Sequence, residues 1–230
     1  MVKSGQTRNG KQRFLCRACG RTLRENPQPQ TYSEARKAEI LRAYQERSSL
    51  RGLERTFGVS RHTVSFRATR CLRGSKKVAE LGPLCETLLP FEAGDELELD
   101  EMWTWVLQRK NKQWLWLALC RRTRQVIAYA LGCRGEATCR VLWSRIPHNY
   151  KGAHCFADIW DAYANVVPPE QLTQRAKRSP VNHLERFNRT IRGRLGRIVR
   201  QTASFSKCLK MHEGAILLFL HRYNTELIPT

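Results

Sequence analysis

The chain has 230 residues, with 41 Lys and Arg against 20 Asp and Glu and a formal net charge of +21. That length supports a sizeable core and more than one domain, and a charge of that size suits a polyanion, most commonly nucleic acid. No apolar stretch is long enough to cross a bilayer, and the start is polar from Lys3, so neither membrane anchor nor signal peptide is expected and a cytoplasmic protein is.

The nine cysteines are irregularly spaced, and most read as small apolar residues of a reducing compartment. Cys16 and Cys19 are the exception. They form a Cys-x-x-Cys knuckle after a strand-like run, with Gly20 supplying a tight turn. A structural zinc site takes four ligands, and no earlier Cys pair is present to complete it. Residues 1–25 are therefore read as a partial zinc ribbon or a frayed basic arm.

A polar, Pro-bearing linker follows, and residues 31–73 then carry three helical patterns. Ser33 and Glu34 open the first, Ser48 or Ser49 caps the second ahead of Leu50, Leu53 and Phe57, and Gly58-Val59-Ser60 makes a turn. Ser60 caps a third, polar and basic pattern. This order is the helix-turn-helix plan, in which the last helix enters a major groove of double-stranded DNA. Arg61, His62, Thr63 and Arg67 are its candidate base contacts. An ordinary three-helix unit with solvated charges is the competing reading. Residues 74–94 read as a linker, with a short helix over 78–90.

From residue 95 the pattern changes. Strands are expected over 96–106, 113–120 and 126–132, with polar turns at 109–112 and 121–125. A helix follows, with Ala137, Val141, Leu142 and Ile146 on one face, and then a short strand 154–158 ending in Asp158. The stretch 165–180 reads as loop, 181–200 as one long helix, and 207–222 as a final amphipathic helix whose apolar face includes Leu209, Ile216, Leu217 and Leu220. Three hairpin strands, a helix and a further strand describe a ribonuclease-H-like α/β core over 95–230, a mixed sheet with flanking helices, in which the fourth strand lies beside the first.

Asp100 is the anomaly in that core, an acid inside an apolar strand. The expected topology brings Asp158 beside it, and two carboxylates that close repel unless a cation separates them. Divalent metal ions are the usual cation in phosphoryl transfer. Asp158 as a helix N-cap is the simpler alternative, and Asp161 is a rival for the metal role. Glu185 is the lone acid of an arginine-rich helix, either an ion-pair partner of Arg189 or a third metal carboxylate. Arg192, two turns on, lies along the same face for a DNA phosphate.

The blocks Leu99–Trp103, Ala157–Tyr163 and Asn182–Asn188, and the run Leu195–Lys207, resemble the acidic motifs and following segment of the IS-one family of bacterial insertion-sequence transposases. The likeness covers nearly the whole chain, except that the family's ribbon has two Cys pairs. It implies a D-D-E transposase of the bacterial nucleoid with Asp100, Asp158 and Glu185 as metal-binding triad, two magnesium ions, and Arg189 and Arg192 on DNA. It also implies zinc at Cys16 and Cys19, element ends and target DNA as partners, and a homo-oligomer on those ends. A nuclease without strand transfer, or a non-catalytic helix-turn-helix regulator, is the alternative.

Overall fold

The computed structural model describes residues 1–7, 10–26, 32–60, 81–175, 182–199, 201 and 205–229. The chain divides into two compact units, Met1–Glu39 and Ile40–Thr230.

The smaller unit holds an antiparallel sheet of β1 (Val2–Gln6), β2 (Gln12–Leu15) and β3 (Thr22–Arg24), in that order. The stretch expected as a partial ribbon or frayed arm is thus an ordered meander. Its β2–β3 turn is the Cys-x-x-Cys knuckle. The Gly20 amide donates to the Cys16 carbonyl at 2.9 Å, and Gly20 has φ +68°, a conformation that glycine adopts without strain. Amide hydrogen bonds, the Cys19 N–H first, lower the Cys16 thiol pKa.

Two short helices follow, α1 (Glu34–Gln45) and α2 (Leu50–Phe57). Ser49 caps α2 by accepting from the Gly52 amide at 2.9 Å, and Gly58 ends it in a left-handed conformation. Ile40, Leu53 and Val59 pack together between them. The third expected helix, with Arg61, His62, Thr63 and Arg67, lies outside the described residues.

The main sheet contains β4 (Glu96–Val106), β5 (Gln108–Cys120), β6 (Val126–Gly132), β7 (His154–Ala157) and β8 (Leu172–Gln174), in the order β6-β5-β4-β7-β8. The β4–β5 and β5–β6 pairs are antiparallel, while β7 runs parallel to both β4 and β8. The sheet is therefore mixed, and helices cover both faces. On one face α3 (Glu136–Arg145) and α4 (Asp161–Ala164) pack over Leu99, Trp116, Ala118 and Cys120. On the other, α5 (Asn182–Arg194) and α6 (Leu209–Glu226) pack over Met102, Leu115, Leu117 and Leu119. Burial on both sides explains why the second half of β5 is an unbroken apolar run rather than an alternating one.

Buried polar groups pin the β6 edge. Asn224 accepts from the Val126 amide at 2.8 Å and donates to its carbonyl at 2.9 Å, while Gln125 bonds the Thr87 and Asn224 carbonyls. These pairings continue the strand's ladder onto α6, so the backbone groups of Val126 are satisfied there.

Several local expectations are corrected. The turn expected at 109–112 is strand, and the chain reverses at Leu107, at φ +66°. The helix expected over 181–200 stops at Arg194, where Leu195 takes φ −99°, ψ 94° and a short 3-10 turn Gly196–Ile198 follows. The loop at 165–180 hides β8, three residues that exist as a strand only by pairing with β7. In the described part of 78–90 there is one 3-10 turn, Leu84–Thr87, in place of a helix. Leu209, expected on the apolar face of α6, is 47% exposed, and Phe219 is buried there. Among the described residues no helix is long and apolar enough to cross a membrane.

Candidate active site

Strand register sets the site. β7 pairs with β4 from Glu96↔His154 to Leu99↔Ala157 and then ends. One step further along both parallel strands come Asp100 and Asp158. The first remains in β4, while the second has just left β7. Asp158 is not the N-cap residue of α4: that position is Trp160, whose side chain makes no cap hydrogen bond. Asp161 is the exposed first residue of that helix.

Glu185 arrives from the opposite face, in the first turn of α5. The helix is fixed there by Glu98, a fully buried acid of β4. Its carboxylate accepts from the His183 amide at 2.9 Å and the Leu184 amide at 2.8 Å, so the strand caps the helix. A negative group at those unpaired amides also complements the positive helix end. Burial raises the Glu98 pKa, and the two amides and Arg121, 3.3 Å away, work against that rise. Three residues beyond Glu185, the buried Asn188 donates its amide hydrogen to Asp100 Oδ2 at 2.7 Å.

Asp100 is electrostatically exceptional. Burial first, then the negative charges of Glu101, Asp158 and Glu185, push its pKa up to about 7, while the Glu101 amide pulls the other way. Such a rise is what burial without a counter-charge produces, reinforced by the nearby carboxylates. Among the described residues, no ion pair joins Asp100 or Glu185 to a base, so Arg189 is not the partner of Glu185. Nor, among the described residues, are any three His, Cys, Asp or Glu side chains grouped closely enough to hold a metal ion.

Asp100, Glu101 and Met102 of β4 line an open cleft of about 430 Å³. One wall is α5, with Glu185, Asn188, Arg189 and Arg192; the other is Trp103 and Trp114. Asp158 does not line it, although its charge reaches Asp100. The donors offered are hard oxygens, which suit magnesium better than a soft metal. The carboxylates of Asp100 and Glu185 and the guanidinium groups of Arg189 and Arg192 thus line one cleft, a fit for a phosphodiester.

Sequence reasoning missed three groups that build this cleft. Glu98 carries a weak signal, as an acid on the inward face of a strand. Asn188 carries only its spacing of three from Glu185. Glu101 gave none: it turns to the other face, where it accepts from Arg134 at 2.9 Å and the Tyr163 hydroxyl at 2.8 Å. Arg134 is held between the Trp114 and Trp160 rings, 4.6 and 4.3 Å from their centres. The expected DNA contacts Arg61, His62, Thr63 and Arg67 are outside the described residues, and Cys16 and Cys19 belong to the smaller unit.

The sequence profile of a family described as IS1 transposase matches residues 96–225. Insertion element iso-IS1n protein InsB of Shigella dysenteriae is 34% identical over 133 residues, covering 55% of this chain and 94% of that protein. Insertion element IS1 protein InsB of Shigella flexneri is 31% identical over 130 residues, covering 54% of this chain and 92% of that one. Insertion element IS1 4 protein InsB of Escherichia coli K12 is 30% identical over 130 residues, covering 54% and 72%. The matched profile starts at the head of β4 and ends near the end of α6, so it spans the main sheet and both helices of the α5 side.

Proposed function

Because the chain belongs to the IS1 transposase family, we propose that it cuts DNA at the ends of an insertion element and joins those ends to a target. In this reading residues 95–230 are a ribonuclease-H-like catalytic core. The segment 31–73 reads the element ends through Arg61, His62, Thr63 and Arg67, and the Cys16–Cys19 knuckle is half of a zinc site. A homo-oligomer holds the paired ends.

Asp100, Asp158 and Glu185 are the proposed ligands for divalent metal, most simply magnesium. When bound, such ions neutralise scissile phosphate oxygens and make a hydroxyl more acidic. The rest falls to the chain. β4 fixes Asp100 on a rigid strand, and the Asn188 amide holds its carboxylate in one rotation. Glu98 sets the height of α5 and so the reach of Glu185 across the cleft. Arg189 and Arg192 grip the phosphates on either side of the reacting one. Cutting and joining are then the same displacement at phosphorus. The attacking oxygen is water in the first and a DNA 3′-hydroxyl in the second, and the 3′-oxygen leaves each time.

The observation that carries this reading is the parallel register of β4 and β7, which leaves Asp100 and Asp158 one step past the last pair, Leu99↔Ala157, while Glu185 lines the same cleft as Asp100. The test is a cleavage and joining assay with element-end DNA and magnesium. Asp100→Ala is expected to lose both activities while keeping end binding within about twofold. A mutant that still cuts under those conditions shows that the triad is assigned wrongly.

A further inference from the structure

The sheet narrows at one end. β7 stops beside Leu99, and β6 pairs with β5 only from Trp114 onward, so Thr104–Val106 and Gln108–Gln113 form a two-stranded ribbon. A ribbon this short is marginal by itself. Here it is fastened: the Leu107 amide donates to the Ser206 carbonyl at 2.8 Å, and the Trp105 ring lies 4.7 Å from that of Phe205. Fastening buries the β4 side, Thr104, Trp105 and Val106, and leaves every residue from Gln108 to Lys112 exposed.

The exposed strand is also bulged. Val106 is paired with Gln108 and Trp105 with Lys112, so Arg109, Lys110 and Asn111 face no partner residue in the ladder. Bulges re-aim side chains and recur beside active sites. The stretch carries Arg109, Lys110 and Lys112 and no acid, and none of the three has an acidic partner among the described residues. It is continuous with the cleft: the Lys112 ammonium is 5.7 Å from the centre of the Trp103 ring, which lines the cleft wall.

We propose that the bulged segment Gln108–Lys112 is a second docking site for duplex DNA, holding the phosphate backbone through Arg109, Lys110 and Lys112 as it enters the cleft. The assignment rests on the DNA-joining function above. Duplex DNA is the fitting occupant because its charge is complementary, and because ammonium and guanidinium donors without acids match phosphate oxygens. A simpler role competes with it. Charges on an exposed strand edge also discourage pairing with other chains, and that role needs no ligand.

Salt dependence separates the two. Binding of the full chain to a duplex of unrelated sequence is followed by fluorescence anisotropy across a salt series, for the wild type and for R109Q/K110Q/K112Q. Each phosphate that the protein no longer neutralises lowers the slope of log K against log salt by about 0.9, so a drop of roughly 2–3 is expected, with the melting temperature unchanged. The charge-keeping variant R109K/K110R/K112R should retain the wild-type slope. An unchanged slope in the glutamine variant overturns the docking site and leaves edge protection. A second measurement needs no variant: acetylation of Lys110 and Lys112 in the wild type should slow severalfold when excess duplex is added, and equal rates overturn the proposal. If the wild type shows no salt-dependent duplex binding at all, the DNA-joining function itself fails, which is a different result from a normal slope that survives the substitutions.

Discussion

The acids at the start of β4 and the acid in its middle are treated in opposite ways. Just ahead of the strand, Asp95 receives two hydrogen bonds from Arg122, at 2.6 and 2.9 Å, and its pKa is lowered, chiefly by that guanidinium. Glu96 is paired with Arg121 at 2.8 Å, and Glu98 is taken up by the amides of α5. Two residues later Asp100 meets an asparagine amide and three negative neighbours, and its pKa rises to about 7. Two aspartates five positions apart thus shift in opposite directions. Acids that hold a fold together come with a partner, whereas Asp100 has no basic partner among the described residues and neighbours other acids.

That contrast is breakable at each end. The largest effect is expected at the paired end. Arg122→Ala leaves Asp95, 4% exposed, without the guanidinium that donates to both its oxygens, and should lower the midpoint of chemical denaturation more than any other substitution here. A loss below about 1 kcal/mol would put Asp95 on the same footing as a surface acid.

At the other end the sign reverses. Because the Asp100 carboxyl has a folded-state pKa near 7, above its ordinary 3.8, the native state keeps a proton that the unfolded chain has already released. Metal-free stability therefore falls as pH rises from about 4 to about 7. Asp100→Asn has no proton to lose, so it should be more stable than the wild type at pH 8, by roughly 2 kcal/mol after allowance for partial exposure, and equal to it near pH 4. Urea denaturation at both pH values checks this, and a mutant less stable at pH 8 contradicts it.

Glu98 lies between the two in sequence, and its replacement has the smallest expected effect. In Glu98→Gln the side-chain carbonyl oxygen, set where Oε2 now accepts from both α5 amides, keeps those bonds but loses the charge that strengthens them and complements the helix end, so about 1–2 kcal/mol of stability is expected to go with it. Activity should fall more than duplex binding, since Glu185 rides on that helix. Equal loss of both would mean that α5 is anchored elsewhere.

The parts of this site that were legible in the sequence are those with local signals. Strand alternation around Leu97, Leu99 and Met102 marked β4 and made Asp100 conspicuous, and the expectation that β7 lies beside β4 is met by the parallel pairing of Leu99 with Ala157. The missed parts depend on distant partners. β8 has no pattern of its own in three residues. The α5 cap and the Asn188–Asp100 bond join residues 85–88 positions apart, across the sheet from one another. The early end of α5 is local but ambiguous, because Leu195 and Ile198 stay buried after the helix stops and so preserve its apolar spacing. Periodicity records burial, and burial continued where the helix did not.

The central claim is that Asp100, Asp158 and Glu185 together hold a divalent cation, and metal-linked stability tests it most directly. Thermal melts of the metal-free protein at pH 8 are compared with and without magnesium or manganese, for the wild type and for Asp100→Asn. A ligand present at about a hundred times its dissociation constant stabilises by about 2.7 kcal/mol, a shift of several degrees for a chain of this size. The wild type should show that shift and Asp100→Asn should lose most of it. Equal shifts in the two proteins, or none in either, would contradict the claim.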